Sequence, residues 1–355
     1  MQTPHVIRVI TALILFGTAF QYFSISQADT DMFTNKTDKN RMLIVISAPP
    51  FEDTYYKEAY EKILKYDIEY AKSVIGKDNI VVLADSKAMP ILKKYLPHDI
   101  LLSADMYDIW LRDFTTVNPY KPVQFRYTAA AQSGSRKQAD QVQKQFNKFT
   151  KKLGISYLTS ALKLDGGNVV DNYNDKAIVT ERFLKDNGLS KAEGKEKLKK
   201  LLSVKSVAII PSDDESGLAH ADGMLMFIDE NTLALNSYDE PLRSEILKEL
   251  TSSFSKIKII EVETHYEEDD WDPGFSSACG IYTNSIVTNK YIYVPIFGTK
   301  PDLKAIKTIQ KNTDKTVVPI EASSVCYMGG SVRCLGWQLA GVNADKIINA
   351  ARESK

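Results

Sequence analysis

A fivefold repeat of one polar segment and one order of secondary structure constrains this chain more than any other feature of its sequence. Each unit opens with a polar segment, here called a head, and continues as strand, turn, strand, helix and strand. The heads recur at intervals of roughly 50–65 residues, a spacing typical of repeat architectures. They occupy residues 110–113, 165–168, 220–223, 282–284 and 329–334. Five such units closed around one axis bring their heads to a common centre, as the blades of a propeller do.

Apolar runs separated by turn residues predict the hairpins inside these units. Residues 171–175, 229–231 and 289–290 each separate two such runs. Helices are predicted at about residues 137–152, 192–202, 241–252 and 303–311. The continuous apolar run at residues 42–47 predicts a strand buried on both faces. We therefore predict an α/β fold with five-fold pseudo-symmetry, as a single domain over residues 42–355.

Residues 1–28 have the features of an export signal. Arg8 precedes an apolar run over residues 9–20, and a small-x-small cleavage site ends at Ala28. The run is short for a membrane span, so an uncleaved anchor is the second interpretation. We expect cleavage after Ala28, no stable membrane partner after cleavage, and a secreted or periplasmic location. A polar linker is predicted over residues 29–41.

The charge balance excludes some classes of partner. The chain carries 45 basic and 45 acidic side chains, so nothing favours a nucleic acid or an anionic membrane. The sequence contains no glycine-rich nucleotide fingerprint and no paired-cysteine zinc spacing, and we predict neither a cofactor nor a metal. The acidic run at residues 267–270 lacks the spaced ligands of an EF-hand and predicts a surface loop.

The heads together carry a cysteine, a histidine and several carboxylates. Cys334 and His220 are the minimal pair of nucleophile and base. The carboxylates of Asp113, Asp165 and Asp222 exceed what a cysteine protease needs, and they indicate a cationic substrate such as a guanidinium. On a strand, His220 and Asp222 would point to the same face. Each residue alone also has a structural explanation as a turn, an ion pair or a buried side chain, but their shared place in successive units indicates an active site.

The ordered heads resemble those of the agmatine deiminases and bacterial-type peptidyl-arginine deiminases. The matching segments are the five heads and residues 295–298, in the order of that family. The resemblance implies a pentein-like five-fold α/β propeller, hydrolysis of a guanidinium without a metal, and Cys334 as the nucleophile. Agmatine deiminases usually carry glutamate at Asp165 and a proline within residues 114–116. These departures and the export signal favour the peptidyl-arginine side.

The resemblance also implies a role for each residue of the set. Asp113 and Asp222 would hold the guanidinium with its carbon toward Cys334. His220 would act first as general acid and then as general base, and Asp165 would orient the imidazole.

Three further residues are candidates for substrate binding. Asn284 belongs to the fourth head. Trp110 would pack on the arginine stem, although a place in the core explains this tryptophan equally well. Arg126, in the strand after the first head, is a candidate to bind the carboxylate of a C-terminal arginine.

Several functions remain open at this point. The substrate is either an arginine-containing peptide or a small guanidino compound such as agmatine or free arginine. An amidinotransferase would use the same cysteine intermediate and pass the amidino group to an amine. A non-catalytic binder of cationic peptides is disfavoured, since binding alone needs no thiol.

The cysteine count bears on the nucleophile. Three cysteines leave at least one unpaired in an oxidising compartment. We expect Cys334 to be a free thiol, with either three free thiols in all or a bridge between Cys279 and Cys326.

Overall fold

The computed structural model describes residues 41–213, 217–265 and 276–354, and the strands of this part form five separate sheets. The strands are β1 (Leu43–Ser47), β2 (Asn79–Ala84), β3 (Leu101–Ser103), β4 (Val123–Arg126), β5 (Leu158–Lys163), β6 (Val170–Asp171), β7 (Lys176–Thr180), β8 (Ser206–Ile210), β9 (Leu225–Phe227), β10 (Thr232–Asn236), β11 (Lys258–Val262), β12 (Ile286–Val287), β13 (Tyr291–Ile296), β14 (Thr316–Glu321) and β15 (Trp337–Leu339).

Helices connect these strands or follow the heads. They are α1 (Tyr60–Val74), α2 (Met89–Leu92), α3 (Leu111–Phe114), α4 (Arg136–Lys152), α5 (Arg182–Asn187), α6 (Lys191–Leu202), α7 (Leu242–Ser253), α8 (Asp302–Gln310), α9 (Val332–Leu335) and α10 (Gly341–Glu353). The α/β class is confirmed. The long helices of the first to fourth units begin and end close to the predicted ranges.

One plan recurs in the sheets. In the sheet β6-β7-β8, the hairpin strands β6 and β7 pair antiparallel, and β8 returns through a helix to pair parallel with β7. The sheets β9-β10-β11 and β12-β13-β14 have the same order and directions. In the sheet of β4 and β5, which pair parallel, a single antiparallel bridge between Val117 and Val123 stands where the other sheets have a hairpin. The predicted order of hairpin, helix and strand is therefore present in the second, third and fourth units.

The sheet of the last head is completed from the other end of the chain. β15 follows this head and pairs antiparallel with β1, which in turn pairs parallel with β2. β3 then extends the sheet as a parallel edge strand. The early alternation of strand and helix is thus not a separate region, because it supplies most of the fifth unit.

Strand β1 lies between two apolar cores, as its unbroken apolar sequence predicts. Ile44 and Ile46 pack in a core with residues of α1, whereas Leu43 and Val45 pack in a second core with residues of α10. Burying an aliphatic side chain of this size stabilises the fold by about 1.5–3 kcal/mol. Helices pack on both faces of this sheet, and the last head directly precedes its strand β15.

Some sequence predictions lie outside the described residues. These are the export signal at residues 1–28, nearly all of the linker at residues 29–41, and the acidic loop at residues 267–270. Within the described part, no helix is both long enough and apolar enough to cross a membrane.

Candidate active site

The polar side chains of the five heads meet in one buried cluster. The first, second, third and fifth heads contain a short helix or a single 3-10 turn, and the fourth head forms a turn. The cluster contains the side chains of Asp113, Asp165, His220, Asp222, Asn284 and Cys334, which are all at least nine-tenths buried. Asp222 lies within a 3-10 turn, Ala221–Gly223, and His220 directly precedes this turn. The expectation that the two residues lie on one strand is therefore wrong.

Two glycines allow the heads to approach one another this closely. A Cβ atom on Gly167 would lie 2.5 Å from Nδ1 of His220 and 2.7 Å from Oδ1 of Asp113. A Cβ atom on Gly330 would lie 2.5 Å from the ring of Trp110 and 2.9 Å from Cβ of Cys334. Any larger residue at either position would push the catalytic side chains apart.

His220 lies between two carboxylates. Its Nε2 is 3.3 Å from Oδ2 of Asp165, and its Nδ1 is 3.6 Å from Oδ1 of Asp113. Burial alone would lower the pKa of His220, but Asp113 and then Asp165 outweigh burial and raise this pKa to about 9. The imidazole is therefore held protonated near neutral pH, ready to donate a proton.

Thr128 fixes the carboxylate of Asp165, a contact that sequence reasoning missed. The backbone N–H of Thr128 donates to Oδ1 at 2.7 Å, and its hydroxyl donates to Oδ2 at 2.6 Å. Asp165 is thus a fixed acceptor for the imidazole, which agrees with the predicted orienting role. A single threonine after a strand carries no motif that would have revealed it.

Asp113 is buried at the start of the cluster. The backbone N–H of Gly167 donates to its Oδ1 at 3.2 Å. Burial raises the pKa of Asp113 to about 8, against the opposing effect of His220. Its neighbour in sequence, Arg112, donates to Gln338 at 2.8 Å, so the alternative of a local ion pair between Arg112 and Asp113 is not what the structure shows.

Asp222 is buried to 1% exposure with little hydrogen bonding. Its Oδ2 lies 3.3 Å from Nε of Arg333, but the two groups are poorly aligned and neither atom has a hydrogen-bond partner among the described residues. Burial raises the pKa of Asp222, while Arg333 lowers it. A buried carboxylate without aligned donors is a strong acceptor for a ligand that brings N–H groups.

Asn284 holds the nucleophile. Its side-chain amide donates to Sγ of Cys334 at 3.1 Å. Its Oδ1 accepts from the backbone N–H groups of Ser331, Arg333 and Cys334 at 3.2–3.3 Å, and from the Ser331 hydroxyl at 3.0 Å. Asn284 of the fourth head is therefore bound to the loop that carries Cys334, and its role in substrate binding stays a prediction.

Cys334 is a buried free thiol in the short helix α9, not a surface-loop residue. Burial raises the pKa of this thiol well above its usual range, and the carboxylates of Asp222 and Asp113 raise it further. The other two cysteines, Cys279 and Cys326, form a disulfide with their Cα atoms 4.8 Å apart. The predicted free thiol is confirmed, and of the two arrangements considered the bridge is the one observed.

The remaining two candidates lie at the margin or outside. Trp110 is partly buried and packs its ring on the backbone of Gly330, next to the nucleophile loop. Arg126 is about half exposed, and its guanidinium lies 3.9 Å from Asp140, away from the cluster. Within the described ranges, no three His, Cys, Asp or Glu side chains are arranged to hold a metal ion.

Comparison with known sequences gives the class of protein and then its family. The fold is shared with solved agmatine deiminases, which are guanidino-group hydrolases. The family model of the Porphyromonas-type peptidyl-arginine deiminases matches residues 35–339. The chain therefore belongs to this family. The family predicted from the ordered heads is confirmed.

Individual relatives are more distant. A Lactococcus lactis protein provisionally named agmatine deiminase is 23% identical over 219 residues, which are 52% of this chain and 58% of that protein. A similarly named Enterococcus faecalis protein is 26% identical over 218 residues, 52% of this chain and 59% of its own length. The chain thus spans about three fifths of the length of these curated relatives.

Solved structures support the fold over most of the chain. C. jejuni agmatine deiminase superposes with a TM-score of 0.71 at 20% identity, covering 85% of this chain and 94% of that enzyme. A structure of the same enzyme with substrate bound gives the same TM-score. Agmatine deiminase of Enterococcus faecalis gives 0.69 at 17% identity, covering 84% and 93%.

Proposed function

We propose that this protein is an exported deiminase that hydrolyses the guanidinium of arginine in a peptide, giving peptidyl-citrulline and ammonia. The observation that carries the proposal is the buried carboxylate of Asp222, whose Oδ2 has no hydrogen-bond donor among the described residues and which lies in one cluster with Asp113, His220 and Cys334. A planar guanidinium supplies several N–H donors and a positive charge, which match the buried carboxylates of Asp113 and Asp222.

Binding of the cation activates the thiol. Burial, and then the carboxylates of Asp222 and Asp113, raise the pKa of Cys334, so the nucleophile is held as a thiol before a cation binds. A guanidinium between Asp113 and Asp222 neutralises this negative surrounding and stabilises the thiolate, and the thiol proton leaves to solvent. The amide of Asn284, 3.1 Å from Sγ, supports the same charge.

The reaction then proceeds in two halves. The Cys334 thiolate attacks the guanidinium carbon, and the C–N bond breaks as His220 donates its proton to the departing ammonia. The product of this half is a covalent thiouronium. His220 next takes a proton from water, the resulting hydroxide attacks the same carbon, and the C–S bond breaks to give a ureido group and free thiolate. General acid–base help of this kind contributes about 10²–10⁴-fold.

The arrangement of the five sheets supports the same site. We propose that they close around one axis, with the heads at its centre. The close approach of the first, second and third heads, through Gly167 and the side chains of Asp113 and His220, supports this arrangement. The contacts of Asn284 with the last head extend it to the fourth and fifth units.

Export rests on two separate observations. Residues 1–28 have the sequence of a cleavable signal. The disulfide between Cys279 and Cys326 is of the kind that forms and persists in oxidising compartments. Mass determination of the protein recovered outside the cytoplasm tests the proposal, with a new N-terminus directly after Ala28 as the expected result. An unprocessed chain that stays in the cytoplasm would overturn it.

Hydrolysis of agmatine is the second candidate. The curated relatives carry the name agmatine deiminase, and the C. jejuni enzyme has been solved with its substrate bound. Export favours the peptide, because agmatine is a cytosolic metabolite. Asp165 favours it as well, because agmatine deiminases usually carry glutamate at this position.

One assay separates these functions. Ammonia release is measured with agmatine, free arginine, a peptide with internal arginine and a peptide with C-terminal arginine, using Cys334→Ala as the blank. Ammonia with a ureido product is expected for at least one peptide. A new guanidine formed only in the presence of an acceptor amine would show an amidinotransferase. Ammonia from none of the four substrates would overturn the deiminase proposal.

A further inference from the structure

Arg333, the residue directly before Cys334, is buried. Its terminal nitrogen donates to the backbone carbonyl of Val169 at 2.9 Å. Its Nε lies 3.3 Å from Oδ2 of Asp222. The guanidinium of Arg333 therefore bridges the nucleophile helix, the second unit and the carboxylate proposed to bind the substrate.

Arg333 also belongs to a deeper network of buried charges. Tyr173, Asp222 and Asp171 all act electrostatically on Arg333, and the carboxylate of Asp171 accepts from the side-chain amide of Asn118 at 2.9 Å. Burial raises the pKa of Asp171 to about 6, with Arg333 as the strongest opposing influence. A second buried arginine, Arg112, lies beside Arg333, and this proximity together with burial lowers the pKa of Arg112 to about 10. The network thus contains two carboxyl groups, of Asp171 and Asp222, and two guanidinium groups, of Arg112 and Arg333.

The charges that act on Asp222 come from three elements. They are Arg333 and Cys334 on α9, Arg112 and Asp113 on α3, and His220 in the adjoining turn. Arg333 is the cation nearest to the carboxylate among these groups. Without it, the carboxylate of Asp222 would be a buried charge beside a second acid and a thiol.

We propose that Arg333 is a positioning residue for substrate binding, whose cation, 3.3 Å from Oδ2 of Asp222, keeps this carboxylate ionised before a substrate binds. The proposal rests on the proposed function, because the ligand that Asp222 awaits is the guanidinium. An uncompensated carboxylate at 1% exposure takes up a proton rather than remaining charged. A neutral carboxyl group does not attract a cation.

The sign of the effect distinguishes this role from simple support of the fold. When Arg333 is replaced by a neutral residue, Asp222 becomes harder to ionise, and cation binding at neutral pH weakens by about tenfold for each pH unit that separates its pKa from the pH. Above that pKa, Asp222 is charged again and the competing cation is absent. Binding then recovers to the parental level or exceeds it.

The first experiment measures binding of agmatine and of an arginine peptide by calorimetry in a Cys334→Ala background, from pH 6 to pH 9.5. Adding Arg333→Gln should weaken binding at pH 7 by tenfold or more, with the gap closing as the pH rises. Adding Arg333→Lys should restore most of the binding, since the charge returns. Adding Asp171→Asn, which changes the opposite end of the same network, should leave the pH dependence unchanged. A gap that does not vary with pH, or no gap at all, would overturn the proposal.

The second experiment needs no substrate and therefore stands even if the proposed function fails. Thermal unfolding of the ligand-free parent, Arg333→Gln, Arg333→Lys and Asp171→Asn is followed across the same pH range and down to pH 4. An acid whose pKa is raised in the folded state binds more protons folded than unfolded, so stability falls as pH rises. Arg333→Gln should show this fall relative to the parent, and it should be recoverable as folded protein at pH 5. A curve parallel to the parent, or an equal fall in Arg333→Lys, would exclude the role in charge balance.

Discussion

The side-chain amide of Asn284 lies 3.1 Å from Sγ of Cys334 and donates a hydrogen bond to it, while the oxygen of the same amide gathers backbone N–H groups of the nucleophile loop. One residue from the fourth unit thereby positions both the reactive atom and the backbone that carries it. The change Asn284→Asp keeps the oxygen that accepts from the loop and replaces the donor to sulfur with an anionic oxygen. We expect kcat to fall by about 100-fold or more, because a hydrogen bond to a charged group is worth about 1.5–3 kcal/mol and repulsion is added to its loss.

The measurement for Asn284→Asp is kcat together with the rate at which iodoacetamide alkylates Cys334. Both should fall, while thermal stability changes little. The matched control is Asn343→Asp, on the surface beside Ser156. Parental alkylation with parental kcat would show that the amide does not support the thiolate.

The carboxylate of Asp113 is expected to set the alkaline limit of activity through His220. Asp113 is the largest of the influences that raise the pKa of His220 to about 9. Asp113→Asn should lower this pKa, so the protonated imidazole is lost at a lower pH. The alkaline limb of kcat/KM should move down in pH, and the rate at its maximum should fall by about 100-fold because a clamp for the cation is lost.

The control for Asp113 is Asp140→Asn, which removes an exposed carboxylate that pairs with Arg136 outside the cluster. Its pH profile should match that of the parent. An unchanged alkaline limb in Asp113→Asn would show that another group sets this limit.

Asp67 is expected to make stability depend on pH without any part in the reaction. This carboxyl in α1 is fully buried, and neither of its oxygens has a hydrogen-bond partner among the described residues. Burial raises its pKa well above the usual range. Because the folded pKa exceeds the unfolded one, stability is lost as pH rises above about 4, until the folded pKa is reached.

Replacing Asp67 by Asn should leave stability nearly unchanged at pH 4 and raise the free energy of unfolding by about 1–3 kcal/mol at pH 8. Urea unfolding at the two pH values measures the difference. Glu69→Gln in the same helix, whose side chain is half exposed, should change stability by less than about 0.5 kcal/mol at either pH. Equal gains at both pH values would contradict the ionisation argument.

The disulfide between Cys279 and Cys326 is expected to stabilise the last two units. The bridge closes a loop with a sequence separation of 47 residues. Loss of such a link costs about 2–4 kcal/mol, mainly because the unfolded chain regains its freedom. The double change Cys279→Ala and Cys326→Ala should lower the free energy of unfolding by this amount.

Reductant serves as the internal control for the bridge. The parent and Cys334→Ala should both lose stability in dithiothreitol, whereas the double variant should not respond. A parental protein that is insensitive to reductant would show that the bridge contributes nothing to stability.

Sequence reasoning found the heads because each combines turn residues with polar side chains at a recurring place in the chain. That regularity predicted the α/β units and the cluster of Asp113, Asp165, His220, Asp222 and Cys334. It gave no access to contacts between single residues far apart in sequence. Asp222 and Arg333 approach to 3.3 Å only after folding, and nothing local marks either as the partner of the other.

Roles were harder to predict than places. Asn284 has a side-chain amide suited to binding a substrate. In the structure, its N–H donates to Cys334 and its oxygen accepts from Ser331, both in the last head. Arg126 lies two residues before Thr128, but it ends strand β4 while Thr128 lies beyond the strand, so the rule that such residues share one face does not apply. The threonine thus contacts Asp165, and the arginine lies toward Asp140 at the surface.

The pairing of β1 with β15 determines when, during synthesis, the candidate active site can first be completed. β1 leaves the ribosome nearly 300 residues before its antiparallel partner, a delay of roughly 15–60 s at ~5–20 residues per second. During this time one edge of an entirely buried, apolar strand has no partner, and such an edge invites pairing with other chains. Cys334 lies in the short helix directly before β15, so the nucleophile is placed by the same event that covers this edge. A nascent or interrupted chain therefore has an aggregation-prone strand and an incomplete candidate active site. The pairing of β15 with β1 ends both conditions.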